Sequence, residues 1–353
     1  MVNIKKILSF IKNNRLYIVL LILIVILRLI STSGNLLEEE ELKVSSQRMK
    51  NIEEKLANIE SLKESLINQN KLRVYFQLLF FIIVFILVFV VGVIIDIVFV
   101  VLKTNRREII PKTYPFQRVS WSFVDVFRII ILYLSISYLI SFGCGFIGGF
   151  FNLDMPDKIV QMATNITLSY GIISILLIYF VVFRYKNRFK MIGLHFKSFF
   201  KNVFLGAVSY VAIAPILGIV IFITTIVSSY FKYTPKPHPV LNALLVEDRL
   251  SLIIYLLLFV CILGPVVEEI FFRGFFYAAL KKSIGKTYAI LMSALFFAWL
   301  HMTLVGFFPI LILGILLAYL YEKNGTLIPS IIVHIAHNSA TTAFLLILKG
   351  LSS

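Results

Sequence analysis

The feature that most constrains this chain is a series of long apolar runs. Of its 353 residues, 59% are hydrophobic, compared with about 45–50% in soluble domains. A helix needs about 20 mostly apolar residues to span a bilayer. Runs near or above that length are Leu16–Ile30, Tyr75–Leu102, Val124–Phe150, Thr164–Phe183, Val203–Ser229, Leu250–Leu280, Tyr288–His301, Val305–Tyr321 and Leu327–Leu348. We therefore predict an all-α, polytopic transmembrane helical bundle of about nine spans.

The charges between the runs orient this bundle. The formal net charge is +16, and the Lys and Arg residues concentrate in four places. These are the N-terminus, Lys103–Arg118, Arg184–Lys190 and Lys281–Lys286. All four fall on one side if the N-terminus is cytoplasmic, as the positive-inside rule requires. The same charges suit anionic lipid headgroups, so we predict a membrane partner and no nucleic-acid partner.

The first 73 residues contain two distinct segments. Residues 1–32 combine basic residues with an apolar run too long for a cleaved signal, which indicates an uncleaved signal anchor. Residues 33–73 carry mixed charges, and apolar residues recur every three or four positions from Met49 to Leu66. This spacing predicts a short extracytoplasmic helical insertion. It is either a solvated helix that packs on its neighbours or a coiled-coil-like module that binds a protein partner or a second copy.

Further spans over residues 74–184 and a core over residues 185–353 complete the predicted organisation.

Asp125 and Arg128 lie near a span end, where their side chains can reach the polar boundary, and we interpret them as structural. Ionisable groups deeper in the C-terminal spans are costly, which makes them candidates for function.

Two adjacent carboxylates, Glu268 and Glu269, lie in the apolar run that begins at Leu250. Glu269 and Arg273 are four residues apart and share a helical face, so they can neutralise each other. Glu268 then faces elsewhere, and a partly desolvated carboxylate suits a general base. The alternative is that both glutamates only pair with Arg273 and hold the helices together.

The following runs contribute imidazoles and a carboxamide. His301 ends the run that follows, and His334 and Asn338 share a face of the last span with His337 beside them. Counting about 1.5 Å per residue from the basic helix ends, these groups and Glu268 lie about 12 to 22 Å deep. Together they could activate a water and bind an oxyanion, or hold a divalent metal with a bound water.

Three motifs carry a resemblance to a known family. EEIFFR from Glu268 to Arg273, FxxxH from Phe297 to His301 and HxxxN from His334 to Asn338 occur in order. They resemble the motifs of CAAX-protease and bacteriocin-processing membrane proteins, which include type II CAAX prenyl endopeptidases and bacterial immunity relatives. The resemblance covers about residues 185–348 and leaves the insertion and the preceding spans unexplained.

The resemblance implies roles for the motif residues. Glu268 is implied as the water-activating base, and His301 as the group that helps to hold the water. The oxyanion is implied to bind His334 and Asn338, with Glu269 and Arg273 in support. Family members have been described both as metalloproteases, in which His301 and His334 would bind a divalent metal such as zinc, and as metal-independent glutamate proteases. His337 is interpreted as a bystander.

These observations predict an intramembrane endopeptidase that cleaves membrane-associated or lipidated peptides arriving from the bilayer. The alternative is a non-catalytic membrane regulator or immunity protein that binds a partner through the same fold. An ion-coupled transporter also places Glu and His in the membrane, but paired hydropathy repeats are not evident. Ile-, Lys- and Asn-rich usage favours a bacterial cell membrane, where the substrates would be peptide pheromones or bacteriocins.

Overall fold

A computed structural model describes residues 10, 13–31, 69–105, 110, 118–151, 157–233, 239–301 and 303–352. This part of the chain is helical and contains no strand, which confirms the all-α prediction. The predicted insertion at residues 33–73 lies almost entirely outside the described residues, so its helical structure stays a prediction.

The helices follow the apolar runs. The N-terminal ones are α1 (Arg15–Ser31), α2 (Gln69–Thr104), α3 (Phe123–Phe150) and α4 (Lys158–Ile178), which continues into a π-helical turn, Tyr179–Arg184. A 3₁₀ turn, Phe189–Ile192, precedes α5 (Phe199–Tyr230) and the short α6 (Pro239–Val246). The remaining helices are α7 (Leu250–Ile284), α8 (Lys286–Leu300), α9 (Leu304–Asn324) and α10 (Ile328–Ser352).

Seven of these helices, in the described part of the chain, are long and apolar enough to cross a membrane. They are α2, α3, α4, α5, α7, α9 and α10. The chain is therefore an integral membrane protein. Two further apolar helices, α1 and α8, lie at the first and seventh of the nine predicted spans, and each is shorter than these seven. Fifteen residues in α8 rise about 22 Å, less than the hydrocarbon core of about 30 Å.

One compact unit comprises residues 1–39 and 120–187, and it contains α1, α3 and α4. Polar side chains meet at the start of α3 and form what we call the N-terminal cluster, composed of Asn14, Ser122, Asp125, Arg128 and Tyr185. Asp125 is only 1% exposed, and its Oδ1 lies 2.8 Å from Arg128 Nη1. The prediction that these two residues are structural agrees with this contact. The expected reach to the polar boundary is wrong for Asp125, because its side chain is buried against Arg128 on the same helix and Tyr185, 60 positions away.

The second unit comprises residues 40–119 and 188–353, and it contains α2 and α5–α10. In it α8 and α9 form a hairpin, α7 packs against α8 and α10, and α10 also contacts α5 and α9. Small residues permit the closest approaches. A Cβ added to Gly206 on α5 would lie 2.8 Å from Pro329 O on α10. The helices that carry the three motifs are thereby held side by side.

Candidate active site

Helix α7 changes its pitch on both sides of the acidic pair. The segments Phe259–Leu263 and Ile270–Tyr277 are π-helical, and the turn between them, Gly264–Glu269, is α-helical. π turns are rare and often accompany functional sites. Apolar periodicity does not reveal them, so sequence reasoning missed this feature.

The predicted ion pair between Glu269 and Arg273 is present and completely buried. Arg273 Nη1 donates to Glu269 Oε1 at 2.7 Å, and both side chains are 0% exposed. Arg273 Nη2 lies 3.3 Å from Gly314 O on α9, and the guanidinium carbon lies 4.4 Å from the centre of the Phe297 ring on α8. Arg273 therefore joins three helices.

His334, on α10, lies between the two carboxylates. Its Nδ1 is 2.8 Å from Glu269 Oε1. The carboxylate paired with Arg273 only accepts hydrogen bonds, so Nδ1–H is the donor. His334 Nε2 lies 3.7 Å from Glu268 Oε2, too far for a direct hydrogen bond. Glu269 thus orients His334 as well as pairing with Arg273, a contact that the sequence did not predict.

The two adjacent glutamates differ in their access to solvent. The side chain of Glu268 is 22% exposed, whereas that of Glu269 is fully buried. Glu268 is therefore the carboxylate that a water or a substrate can reach, and Glu269 belongs to the buried support.

Phe297 forms a shared platform for the histidines. The centroid of its ring lies 4.6 Å from that of His301 and 5.5 Å from that of His334. His301 ends α8, and its Nδ1 lies 2.7 Å from Phe297 O, which makes Nδ1–H the donor. His301 Nε2 is then an acceptor in the neutral ring. His301 also interacts electrostatically with Glu268. The sequence identified Phe297 only as part of a motif and did not predict this platform.

Asn338 and His337 face other neighbours. Asn338 Nδ2 donates to Val260 O on α7 at 2.9 Å. The ring of His337 packs against that of Tyr210 on α5, with centroids 6.3 Å apart. The structure thus brings Glu268, Glu269, Arg273, His301 and His334 together, and it holds Asn338 one helical turn beyond His334.

A metal centre receives no support from the donor set. Within the described residues, no three His, Cys, Asp or Glu side chains are arranged to hold a metal ion. His301 and His334 each use Nδ1 for another contact and keep Nε2, as a metal-binding imidazole also does. A divalent metal at these two residues stays a prediction, and no step of a reaction is assigned to one.

Comparison with known proteins gives two matches. Residues 250–340 match the family model described as type II CAAX prenyl endopeptidase Rce1-like. The UPF0177 protein YaiF of Lactococcus lactis subsp. lactis (strain IL1403) is 29% identical over 130 residues, which are 35% of this chain. The match spans 56% of that protein's own length, and its name states no activity. No solved structure matches this chain.

The family match covers α7 to α10 as far as residue 340, and so contains all three motifs. It confirms the predicted resemblance to CAAX-type proteases at the level of the family. The roles of the individual residues stay predictions.

Proposed function

Because residues 250–340 match the Rce1-like family model, we propose that this chain is an intramembrane endopeptidase in which Glu268 is the general base. The supporting observation is the asymmetry of the acidic pair. Arg273 and His334 both bind Glu269, whereas Glu268 is partly exposed beside His334 Nε2. A partly exposed carboxylate near two imidazoles can take a proton from water.

The proposed reaction is hydrolysis of a peptide bond. Glu268 removes a proton from a water molecule whose other hydrogen is accepted by His301 Nε2. The water oxygen bonds to the scissile carbonyl carbon, and the carbonyl becomes an oxyanion. The C–N bond then breaks, and Glu268 passes its proton to the leaving nitrogen. The products are a carboxylate and an amine.

Stabilisation of the oxyanion is assigned to His334 and Asn338. In this role His334 is an imidazolium, with Nδ1–H bound to Glu269 and Nε2–H available to the oxyanion. Asn338 commits one N–H to Val260 O and keeps a second. Donors fixed before the reaction are worth about 3–4 kcal/mol each in comparable sites, so both positions support the proposal.

The proposed substrates are membrane-associated or lipidated peptides that enter from the bilayer. The turn between α8 and α9 adjoins His301, and α8 is too short to cross the membrane. Non-helical backbone at membrane depth has to be buried in protein or line a water-filled cavity. Such a cavity would supply the water that hydrolysis consumes. A cytoplasmic N-terminus and a bacterial cell membrane remain part of this proposal.

The test compares Glu268→Gln with a matched variant, Glu322→Gln. Glu322 accepts hydrogen bonds from Tyr277 and Lys281 at the far end of α9, outside the proposed site. Membrane peptides from cells that express each variant are compared by mass spectrometry. Hydrolysis is then measured in liposomes with acylated and prenylated peptides, with and without a chelator.

We expect Glu268→Gln to reduce hydrolysis by at least about a hundredfold, since proton transfer by a positioned group contributes about 10²–10⁴. Glu322→Gln should retain it, and a chelator should have no effect. If Glu268→Gln inserts stably and cleaves as the wild type does, the assignment of Glu268 as the general base is wrong. Unchanged peptides together with an unchanged biological effect would instead favour the non-catalytic regulator.

A further inference from the structure

A backbone feature of α7 explains how Asn338 is held. In the π-helical turn Phe259–Leu263, Gly264 N–H donates to Phe259 O, five residues back. The next bond of this pattern would run from residue 265 to Val260 O. Residue 265 is a proline, which has no N–H. Val260 O therefore lacks the backbone donor that the helix would otherwise give it.

Asn338 supplies the missing donor from another helix. Its Nδ2 lies 2.9 Å from Val260 O, and the two residues are 78 positions apart in sequence. Backbone carbonyls inside a membrane need a partner, because no bulk water is present to replace one. A carbonyl oxygen only accepts, so the amide must direct its NH₂ group towards Val260. This contact fixes which way the carboxamide faces.

We infer that Pro265 is a positioning residue for Asn338. Because Pro265 has no N–H, Val260 O remains available as the acceptor for the Asn338 amide. That hydrogen bond fixes the direction of the second N–H of the Asn338 amide. Pro265 lies three residues before Glu268 on α7, so one helical turn sets both the base and the carboxamide. The hydrogen bond between Asn338 and Val260 is present in the structure, and its catalytic value rests on the proposed function.

The test is a double-mutant cycle on thermal unfolding in detergent, which needs no activity. Pro265→Ala restores the backbone N–H. We expect Asn338→Ala to lower Tm by about 2 °C in the natural background, as for loss of one hydrogen bond. It should cause no further loss in the Pro265→Ala background. Equal losses in the two backgrounds would overturn the inference.

Pro215→Ala is the matched control, since Pro215 is likewise a proline inside a helix, α5. There Asn338→Ala should keep its full effect. If Pro265→Ala does not accumulate, Asn338→Asp in the natural background replaces it. That change sets two oxygens against each other at Val260 and should lower Tm, whereas an unchanged Tm overturns the inference.

The cycle also separates this inference from the proposed function. If the wild type hydrolyses no peptide but the Tm coupling is present, the protease proposal fails and the positioning of Asn338 stands. Where hydrolysis is measurable, Pro265→Ala should lower kcat about tenfold with KM unchanged, because the misplaced group acts on the transition state. A normal kcat in Pro265→Ala overturns its positioning role.

Discussion

Each of the two units buries a carboxylate–arginine pair, and the pairs differ in how fully their hydrogen bonds are satisfied. In the N-terminal cluster, Arg128 donates to Asp125 Oδ1, and Ser122 and Tyr185 donate to Oδ2. The remaining nitrogens of Arg128 bind Asn14 Oδ1. Every oxygen of this aspartate thus has a partner.

The C-terminal pair is less complete. Arg273 and His334 share Glu269 Oε1, while Glu269 Oε2 and Arg273 Nε have no hydrogen-bond partner among the described residues. Unsatisfied buried groups are rare in native proteins and are often explained by function. We infer that the first pair anchors α3, and that the second pair holds His334 beside Glu268.

Breaking the C-terminal pair should give the largest effect. Arg273→Met leaves Glu269 buried without its arginine partner, and loss of one partner costs about 3–5 kcal/mol in comparable buried pairs. Unfolding of purified protein by titration with sodium dodecyl sulfate measures this loss. Adding Glu269→Gln removes the uncompensated charge and should recover part of it. If Arg273→Met alone is as stable as the wild type, the ion pair with Glu269 does not contribute to stability.

The N-terminal cluster should respond differently. Asp125→Ala removes the acceptor for Ser122, Arg128 and Tyr185, and it should cost about 2–3 kcal/mol, since hydrogen bonds to charged groups contribute about 1.5–3 each and Arg128 can reach solvent. The same titration gives the loss. Hydrolysis per folded molecule should stay at the wild-type level. A fall in kcat in the folded fraction would contradict the purely structural role.

Tyr185→Phe sharpens the comparison within the same cluster. Tyr185 OH donates to Asp125 Oδ2 at 2.5 Å, and burial, followed by this hydrogen bond, raises the pKa of the phenol. It therefore remains a donor at neutral pH. Its loss should cost about 1–1.5 kcal/mol, because Ser122 and Arg128 continue to bind the carboxylate. A loss as large as that of Asp125→Ala would mean that Tyr185 alone secures the cluster.

How far the sequence could predict these pairs depends on the range of their contacts. The Glu269–Arg273 pair follows from a spacing of four residues, and the helices follow from apolar runs of bilayer length. The contact between His334 and Glu269 joins residues 65 positions apart, and that of Tyr185 with Asp125 joins residues 60 apart. Such partners depend on how the helices pack, which hydropathy and periodicity do not determine.

The π turns show the same limit within one helix. Pro265 is visible in the sequence, but a proline alone does not indicate whether the preceding turn is α- or π-helical. The acceptor that it leaves unpaired, and therefore the partner of Asn338, depends on that choice. The short length of α8 could be predicted from the sequence, because the apolar run Tyr288–His301 is the shortest of the nine.

Glu247 has a complete set of hydrogen bonds but an exposed arginine partner, and it should give the smallest effect. The carboxylate accepts from Arg249 Nε and Nη2 and from the backbone N–H groups of Asp248 and Arg249. The hydrogen bonds from the Arg249 side chain are the main cause that lowers its pKa from 4.5 to about 2. Its side chain is 4% exposed and as well satisfied as that of Asp125, but the Arg249 side chain is 51% exposed. Solvent then screens the pair, and it should contribute less than about 1 kcal/mol.

The sign of its pH dependence follows from the lowered pKa. The stabilisation is complete above the ordinary pKa of 4.5 and is lost as the pH falls towards about 2. The Tm difference between the wild type and Glu247→Gln should therefore be constant from pH 7 to pH 5 and decrease below that range. A difference that is the same at pH 3 and pH 7 would show that the ionised carboxylate adds nothing. A complete set of hydrogen bonds would then stabilise a carboxylate in this chain only where its arginine partner is also largely buried, as Arg128 is beside Asp125.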